Sequence, residues 1–534
     1  MNELIASICL FAGCGLFIAK RLLRYLHVFQ LEEYKSGRFL TWLWKNHSFD
    51  KRGSLIALLA VITTVWSENV LIPSACAAVA LALYAGFEPD PRRLAKVPLK
   101  FTERAHRIYQ TAAAFLIFLE LILFALFADD LPLLWATQIL VMQTIPLFLT
   151  LACICLQPDE NRRQQAFIDE AKAILKRVDP YIIGITGSYG KTSTKEALGQ
   201  ILQVTLGPTF WTEKSINTVM GITRAIREQL KKGTRFGVIE MGAYVQGSID
   251  KLCALTPPHA AIITSVGVAH LERFGSEETI LKAKSELAQN VPYEGILVCN
   301  GDNVGARRIA QENPKKHVYL YGFKKEQGAL DAWISSYKIT PKGTEFVLHW
   351  NGNVFPGFTP LLGQAALSNA LAAFTMACAL GADPEFVLGT IRNLKAVDNR
   401  LELRKEGDVT FLRDAYNSNP IGFKSALEVL AELPSTRRIV MTPGMIELGH
   451  EQAAKNKELA EQAAAICNSL IIVGETNREA LEEGWKKGGL DPLSIYCCAT
   501  REEAFKHLSS FVKDGDSVLI ENDLTDLYVA PKKF

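Results

Sequence analysis

Long apolar runs constrain this chain most, because about 20 successive residues without charge have only a protein core or a bilayer to enter. Five such runs fill the first 156 residues: 4–19, 53–66, 70–87, 109–127 and about 131–156. The fourth and fifth have spanning length, the third is close, and the first two are short. Basic residues lie between them in two groups. Lys20, Arg21, Arg24, Lys35, Arg38, Lys45, Lys51 and Arg52 separate runs one and two; Arg92, Arg93, Lys96, Lys100, Arg104 and Arg107 separate runs three and four. The intervening stretches 67–69 and 128–130 carry no Lys or Arg. The positive-inside rule then predicts five spans, the N-terminus outside, and everything after residue 156 in the cytosol.

A secretory signal peptide is a poorer reading of residues 1–19, since no positive region precedes the apolar run and the basic cluster follows it. Glu120 lies within the fourth run, either as a functional ionisable group or satisfied by Gln143 or a neighbouring helix. Phe39, Trp42, Trp44 and Phe101 accompany the basic groups, as suits segments at an anionic leaflet, so membrane lipids are expected partners. The expected location is the cytoplasmic (inner) membrane, multi-pass, with the catalytic domains in the cytosol.

The remainder is different in kind. Residues 1–156 hold 14 Lys+Arg and 11 Asp+Glu, whereas residues 157–534 hold 44 and 45. The whole chain, with 58 basic and 56 acidic residues, has a formal net charge of +2, which argues against a nucleic-acid partner. Eleven cysteines form no C-x-x-C pair or zinc-ribbon spacing and read as structural thiols. Residues 157–180 are expected to form an amphipathic connecting helix. Beyond it, short β-rich runs (181–186, 236–239, 260–264, 295–299, 409–412, 438–441, 469–473, 517–520) alternate with helical patterns, which predicts βαβ units and parallel sheets. Polar residues cluster just after these runs, where open α/β sheets bind ligands. The expected architecture is an α-helical membrane region (1–156) plus two α/β domains: a P-loop ATPase-like central domain (181–395) and a Rossmann-like C-terminal domain (396–534).

Gly187-Ser188-Tyr189-Gly190-Lys191-Thr192-Ser193 follows a strand run and opens a helical pattern. Backbone N–H groups and a helix N-terminus there suit a phosphate, with Lys191 for the terminal phosphates and a hydroxyl for Mg²⁺. It departs from the full G-x-x-x-x-G-K-[ST] pattern, because Ile185 stands in the first glycine's place.

The loop, as GITGSYGKTST from residue 184, resembles the nucleotide loop of the Mur ligases, and further blocks follow in the family's order. These are SINTVMG (215–221), VIEMGAYVQGSI (238–249), ITSVGVAHLERFGSEETILKAKSEL (263–287), Asn399 to Glu402, DAYNSNP (414–420) and MIELG (445–449). Within the family the blocks are most similar to the ligase that adds D-Ala-D-Ala. The resemblance implies an ATP-dependent carboxylate–amine ligase using one or two Mg²⁺ ions. It implies nucleotide contacts by Gly187, Ser188, Gly190, Lys191, Thr192, Ser193, Asn369, Arg400 and Asp414. It further implies metal ligation by Thr192, Glu240, His270 and a carbamylated Lys284, with Lys191, Asn217, His270, Lys284 and Arg400 as catalytic residues.

Three departures redirect the substrate expectation. Apolar runs occupy the place of the family's uridine-nucleotide-binding domain, which points to a lipid-linked or envelope-polymer carboxylate joined to an amino acid or peptide amine. The family's His-Asn pair is replaced by Ala365-Ala366, leaving Asn369. A basic K-G-S-R segment becomes Glu521-Asn522-Asp523-Leu524-Thr525-Asp526, so an acidic end suits a cationic or multi-amine acceptor. The alternatives are a poly-γ-glutamate-synthase-like polymerising ligase and a non-catalytic nucleotide-binding membrane scaffold.

Overall fold

The computed structural model describes residues 2–67, 69–93, 98–267, 271–323, 330–397, 400–415, 418–489 and 491–522. The expected positions His270, Asn399 and 523–526 lie outside the described residues. Two compact units divide the chain near residue 163.

The first unit is helical: Asn2–Leu31, Ser36–Lys45, Arg52–Trp66, Leu71–Phe87, Glu103–Phe127 and the start of Leu131–Val178. Among the described residues three helices are long and apolar enough to cross a membrane (Ile5–Leu31, Glu103–Phe127 and Leu131–Val178), and Arg52–Trp66 and Leu71–Phe87 are shorter apolar helices. The chain differs from the sequence reading at residues 20–31, which continue the first helix instead of opening a basic linker. Arg21 is fully buried there: its Nε lies 2.6 Å from Asp50 Oδ2, its Nη1 2.9 Å from Glu88 Oε1, and its Nη2 donates to Tyr84 at 3.0 Å. Paired carboxylates allow a guanidinium to leave water, which no count of charges reveals. The partner of Glu120 is Gln138 on the helix Leu131–Val178, at 2.9 Å, and not Gln143, whose amide binds Ser54 at 2.7 Å. The helix expected over 157–180 is the final part of that same 48-residue helix.

The second unit carries two sheets. The larger is built from β1 (Tyr181–Thr186), β2 (Thr209–Trp211), β3 (Phe236–Glu240), β4 (Ala260–Ile263), β5 (Ile296–Asn300), β6 (His317–Gly322), β7 (Ala332–Thr340), β8 (Gly343–Trp350) and β9 (Asn353–Thr359). Its order is β2-β3-β1-β4-β5-β6-β7-β8-β9. Strands β1 to β6 pair in parallel, and the central β1, β3 and β4 are buried on both faces, as helices on either side of an α/β sheet require. The antiparallel extension β7–β9 is absent from the sequence reading. Many residues of β7 and β9 are exposed or half-buried, so no apolar run marks it.

The smaller sheet contains β10 (Glu402–Glu406), β11 (Val409–Asp414), β12 (Arg438–Thr442), β13 (Ser469–Val473), β14 (Ile495–Cys498) and β15 (Ser517–Glu521), in the order β10-β11-β15-β12-β13-β14. Only β10 is antiparallel to its neighbour. Every strand run predicted from sequence forms a strand, and the carboxyl ends of β1, β3, β11 and β15 hold the polar residues that matter below.

Candidate active site

The site begins where β1 stops. Gly190 has φ +82°, a left-handed conformation that favours glycine, and a Cβ there would collide with the Asn369 amide. The helix Lys191–Thr205 starts immediately afterwards, so its unpaired N–H groups and positive dipole end face the loop. The stretch 264–267 after β4 braces the loop: Ser188 Oγ accepts from the Gly267 N–H and donates to its carbonyl, both at 2.9 Å. The Tyr189 N–H donates to Ser265 Oγ at 2.9 Å. The hydroxyl of Ser188 is therefore engaged in shaping the loop, and so is its N–H, which donates to the Ser265 carbonyl at 2.8 Å.

Lys191 Nζ donates to the carbonyls of Gly187 and Ser188 at 2.7 and 3.3 Å, and burial together with the nearby Arg400 charge lowers its pKa, against an opposing effect of Glu240. Thr192 is buried and donates to Glu240 Oε2 at 2.8 Å, while Asn217 Nδ2 donates to Glu240 Oε1 at 3.0 Å. Glu240 ends β3, one strand away from the loop strand β1, which is why residues 48 apart in sequence meet. Lys284, on the helix Glu277–Asn290, is buried, and desolvation with the Lys191 charge holds its pKa well below the ordinary lysine range.

Oxygen ligands suit Mg²⁺, and Thr192 and Glu240 supply a hydroxyl and a carboxylate beside a cradle that only glycine can line. The residues present thus fit a Mg²⁺–nucleotide. Asn369 Oδ1 accepts from Thr194 at 3.2 Å, placing this amide behind the loop. Gly190, Ser193, Asn369, Arg400 and Asp414 line a cleft of about 540 Å³ between the strand ends of the two sheets.

Three participants have no role in the sequence reading. Lys195, fully buried one turn after Lys191, donates to the carbonyls of Thr212 and Lys214 and so fastens the segment that presents Ser215 and Asn217. Ser215 Oγ lies 3.3 Å from Thr192 Oγ1. Glu286 accepts the N–H groups of Gly247, Ile249 and Asp250 at 2.6, 3.1 and 3.2 Å, capping the helix Ser248–Leu255. The i, i+4 spacing of Lys195 from Lys191 is the one signal that could have found it.

Residues 185–377 match the Mur ligase middle domain, and residues 399–521 match the Mur ligase glutamate ligase domain. UDP-N-acetylmuramoyl-tripeptide–D-alanyl-D-alanine ligase of Escherichia coli (strain K12) is 32% identical over 321 residues, which cover 58% of this chain and 68% of that protein. A solved MurF of Acinetobacter baumannii superposes with a TM-score of 0.60 at 25% identity, covering 67% of this chain and 77% of its own. MurF ligase from Thermotoga maritima in complex with ADP gives 0.59 at 26% identity, covering 67% and 80%. The two matched domains take in the phosphate loop, Glu240, Lys284 and Asp414. This chain belongs to the Mur ligase family and is an ATP-dependent carboxylate–amine ligase.

Proposed function

We propose that this ligase works at the cytosolic face of a membrane and joins an amino acid or peptide amine to a carboxylate on a lipid-linked or cell-envelope precursor. The observation that carries the reading is the continuity of chain. The helix Leu131–Val178 begins as an apolar segment of spanning length, and only Asp179 and Pro180 separate its end from the phosphate-loop strand β1. A ligase tethered within a few residues of such a helix meets membrane-held substrates at high effective concentration. Five membrane-crossing helices with both basic groups in the cytosol complete the proposal.

Bound Mg²⁺–ATP supplies the phosphoryl group that converts the carboxylate to an acyl phosphate, which an amine then attacks. The chain's own work is positioning and charge stabilisation. Lys191 holds the terminal phosphates, with the N–H groups of Gly190, Thr192 and Ser193 at the helix start. Thr192 and Glu240 hold the metal, together with His270 and Lys284. Asn217 lies beside Glu240 to orient the acceptor carboxylate. Arg400 and Asp414 meet the nucleotide from the C-terminal side, and closing of the cleft excludes water. Burial and the neighbouring Lys191 charge both disfavour the ammonium form of Lys284, which supports carbamylation by CO₂.

Phosphate release by the detergent-purified chain is the test, across amino acids and short peptides, with and without membrane lipid extract. Release that needs both an amine and the extract, and that Lys191→Ala abolishes, supports the proposal. Full turnover on a soluble UDP-muramoyl peptide without lipid overturns the lipid-linked substrate, and repeated addition of one amino acid identifies a polymerising enzyme.

A further inference from the structure

Asp414 and Glu521 end the adjacent parallel strands β11 and β15 and stand directly opposite each other in register. Directly paired residues point to the same side of a sheet, so two carboxylates are forced together. Asp414 is half-buried and opens on the cleft, whereas Glu521 is fully buried. Ser418 donates to Glu521 Oε1 at 2.5 Å, but Glu521 Oε2 is buried with no hydrogen-bond partner among the described residues. An ionised carboxylate so placed faces a second carboxylate and leaves lone pairs unmet, which disfavours the charge. Among the described residues, the charged group that bears on the pair is Arg400, which acts on Asp414 from the segment joining the domains. The Leu401 N–H, from a residue in the left-handed region (φ +48°), also donates to Asp414.

We propose that Glu521 is a neutral carboxylic acid that donates its Oε2 hydrogen to Asp414, and so positions an ionised Asp414 against Arg400 in the nucleotide cleft. Glu521 is thus a positioning residue, and the pair carries one proton between two carboxylates. The electrostatics agree in direction: burial, then the Asp414 charge, raises the Glu521 pKa well above the carboxylate range, against an opposing bond from Ser418. Burial raises Asp414 to about 6, while Arg400 and the Leu401 N–H oppose the shift. The acid end read from the sequence as a lure for a cationic substrate is, at Glu521, turned inward. This inference rests on the assignment of Arg400 and Asp414 to the nucleotide cleft.

Infrared difference spectra of the full-length, detergent-purified protein test it, with Glu521→Gln and Glu521→Ala compared. The expected result is a protonated-carboxyl band at neutral pH that Glu521→Gln removes. Glu521→Ala should raise KM for ATP about tenfold with a smaller change in kcat, and Glu521→Gln, which still donates, should recover most of it. In the native protein KM for ATP should also rise at alkaline pH as the shared proton leaves, and Glu521→Gln should lack that rise. An unchanged carboxyl band overturns the proposal. So does a Glu521→Gln enzyme as impaired as Glu521→Ala. The infrared band does not depend on turnover, so failure of the ligase reading under Lys191→Ala is a separate result.

Discussion

Two buried charge clusters in this chain follow opposite rules. In the helical unit Arg21 and Arg24 face Asp50 and Glu88, two cations against two anions, and Arg21 also packs against the rings of Phe17 and Tyr84. In the ligase unit Lys284 is buried with Lys191, half-buried, near it, and desolvation pushes the pKa of each down, although Glu240 opposes the shift at Lys191. The first cluster is closed on itself and joins helices that are far apart in sequence. The second sets two lysines close together, one of them near Glu240, where we propose that a nucleotide phosphate and a metal are held. Buried charge that is balanced serves the fold; buried charge in excess marks a place reserved for a ligand.

The largest expected effect breaks the balanced cluster. Arg21→Met leaves Asp50 buried without its cation and Glu88 with Arg24 alone, and should destabilise the helical unit by about 3–5 kcal/mol, read by thermal unfolding in detergent. Replacing Arg21, Asp50 and Glu88 together by apolar residues should restore most of that loss, since a whole network exchanged for hydrophobic packing is often neutral. An Arg21→Met protein that melts with the native one would refute the structural role given to the pair.

Lys191→Ala tests the unbalanced cluster. It should lower the rate of ATP-dependent ligation by about 10²–10³-fold while leaving the unfolding temperature unchanged or higher, because a desolvated cation is removed. Smaller still is Glu286→Gln. Turning one accepting oxygen into an NH₂ that faces an N–H donor should cost about 1–3 kcal/mol, measured by denaturant unfolding of the ligase unit.

The finest distinction comes from pH. Asp414 has a folded pKa of about 6 against an ordinary value of 3.8, so the folded state binds its proton more tightly than the unfolded chain. Stability from this group is therefore fully present below about 3.8 and is lost as pH rises to about 6. Asp414→Asn should abolish that part of the pH dependence, making the variant relatively more stable at pH 7 than at pH 4. Equal pH dependence in the two proteins would remove the argument for a desolvated acid at the strand end.

Much of this was legible in the linear chain. Apolar runs of four to six residues gave eight strands, because burial on both faces of a parallel sheet leaves a continuous signal. The loop 187–193 could be located for the same reason, as its chemistry is local: a strand, two glycines, a lysine and a hydroxyl in succession. The extension β7–β9 was not legible, since its half-exposed strands carry no unbroken apolar run. Nor were Lys195 and Glu286, ordinary charged residues on helices until tertiary contacts bury one and give the other three N–H donors.

The sequence by itself determined which elements form and which loop is built for phosphate, because hydrophobic periodicity and glycine conformation act over a few residues. Only the tertiary structure decided what each charge is for. Arg21 looks like a loop cation and is the centre of a buried network; Glu521 looks like an exposed acid and lies sealed beside Asp414. The physical reason is that the energy of a charge depends on its surroundings, on desolvation and on partners that the fold brings from 29, 67 or 107 residues away.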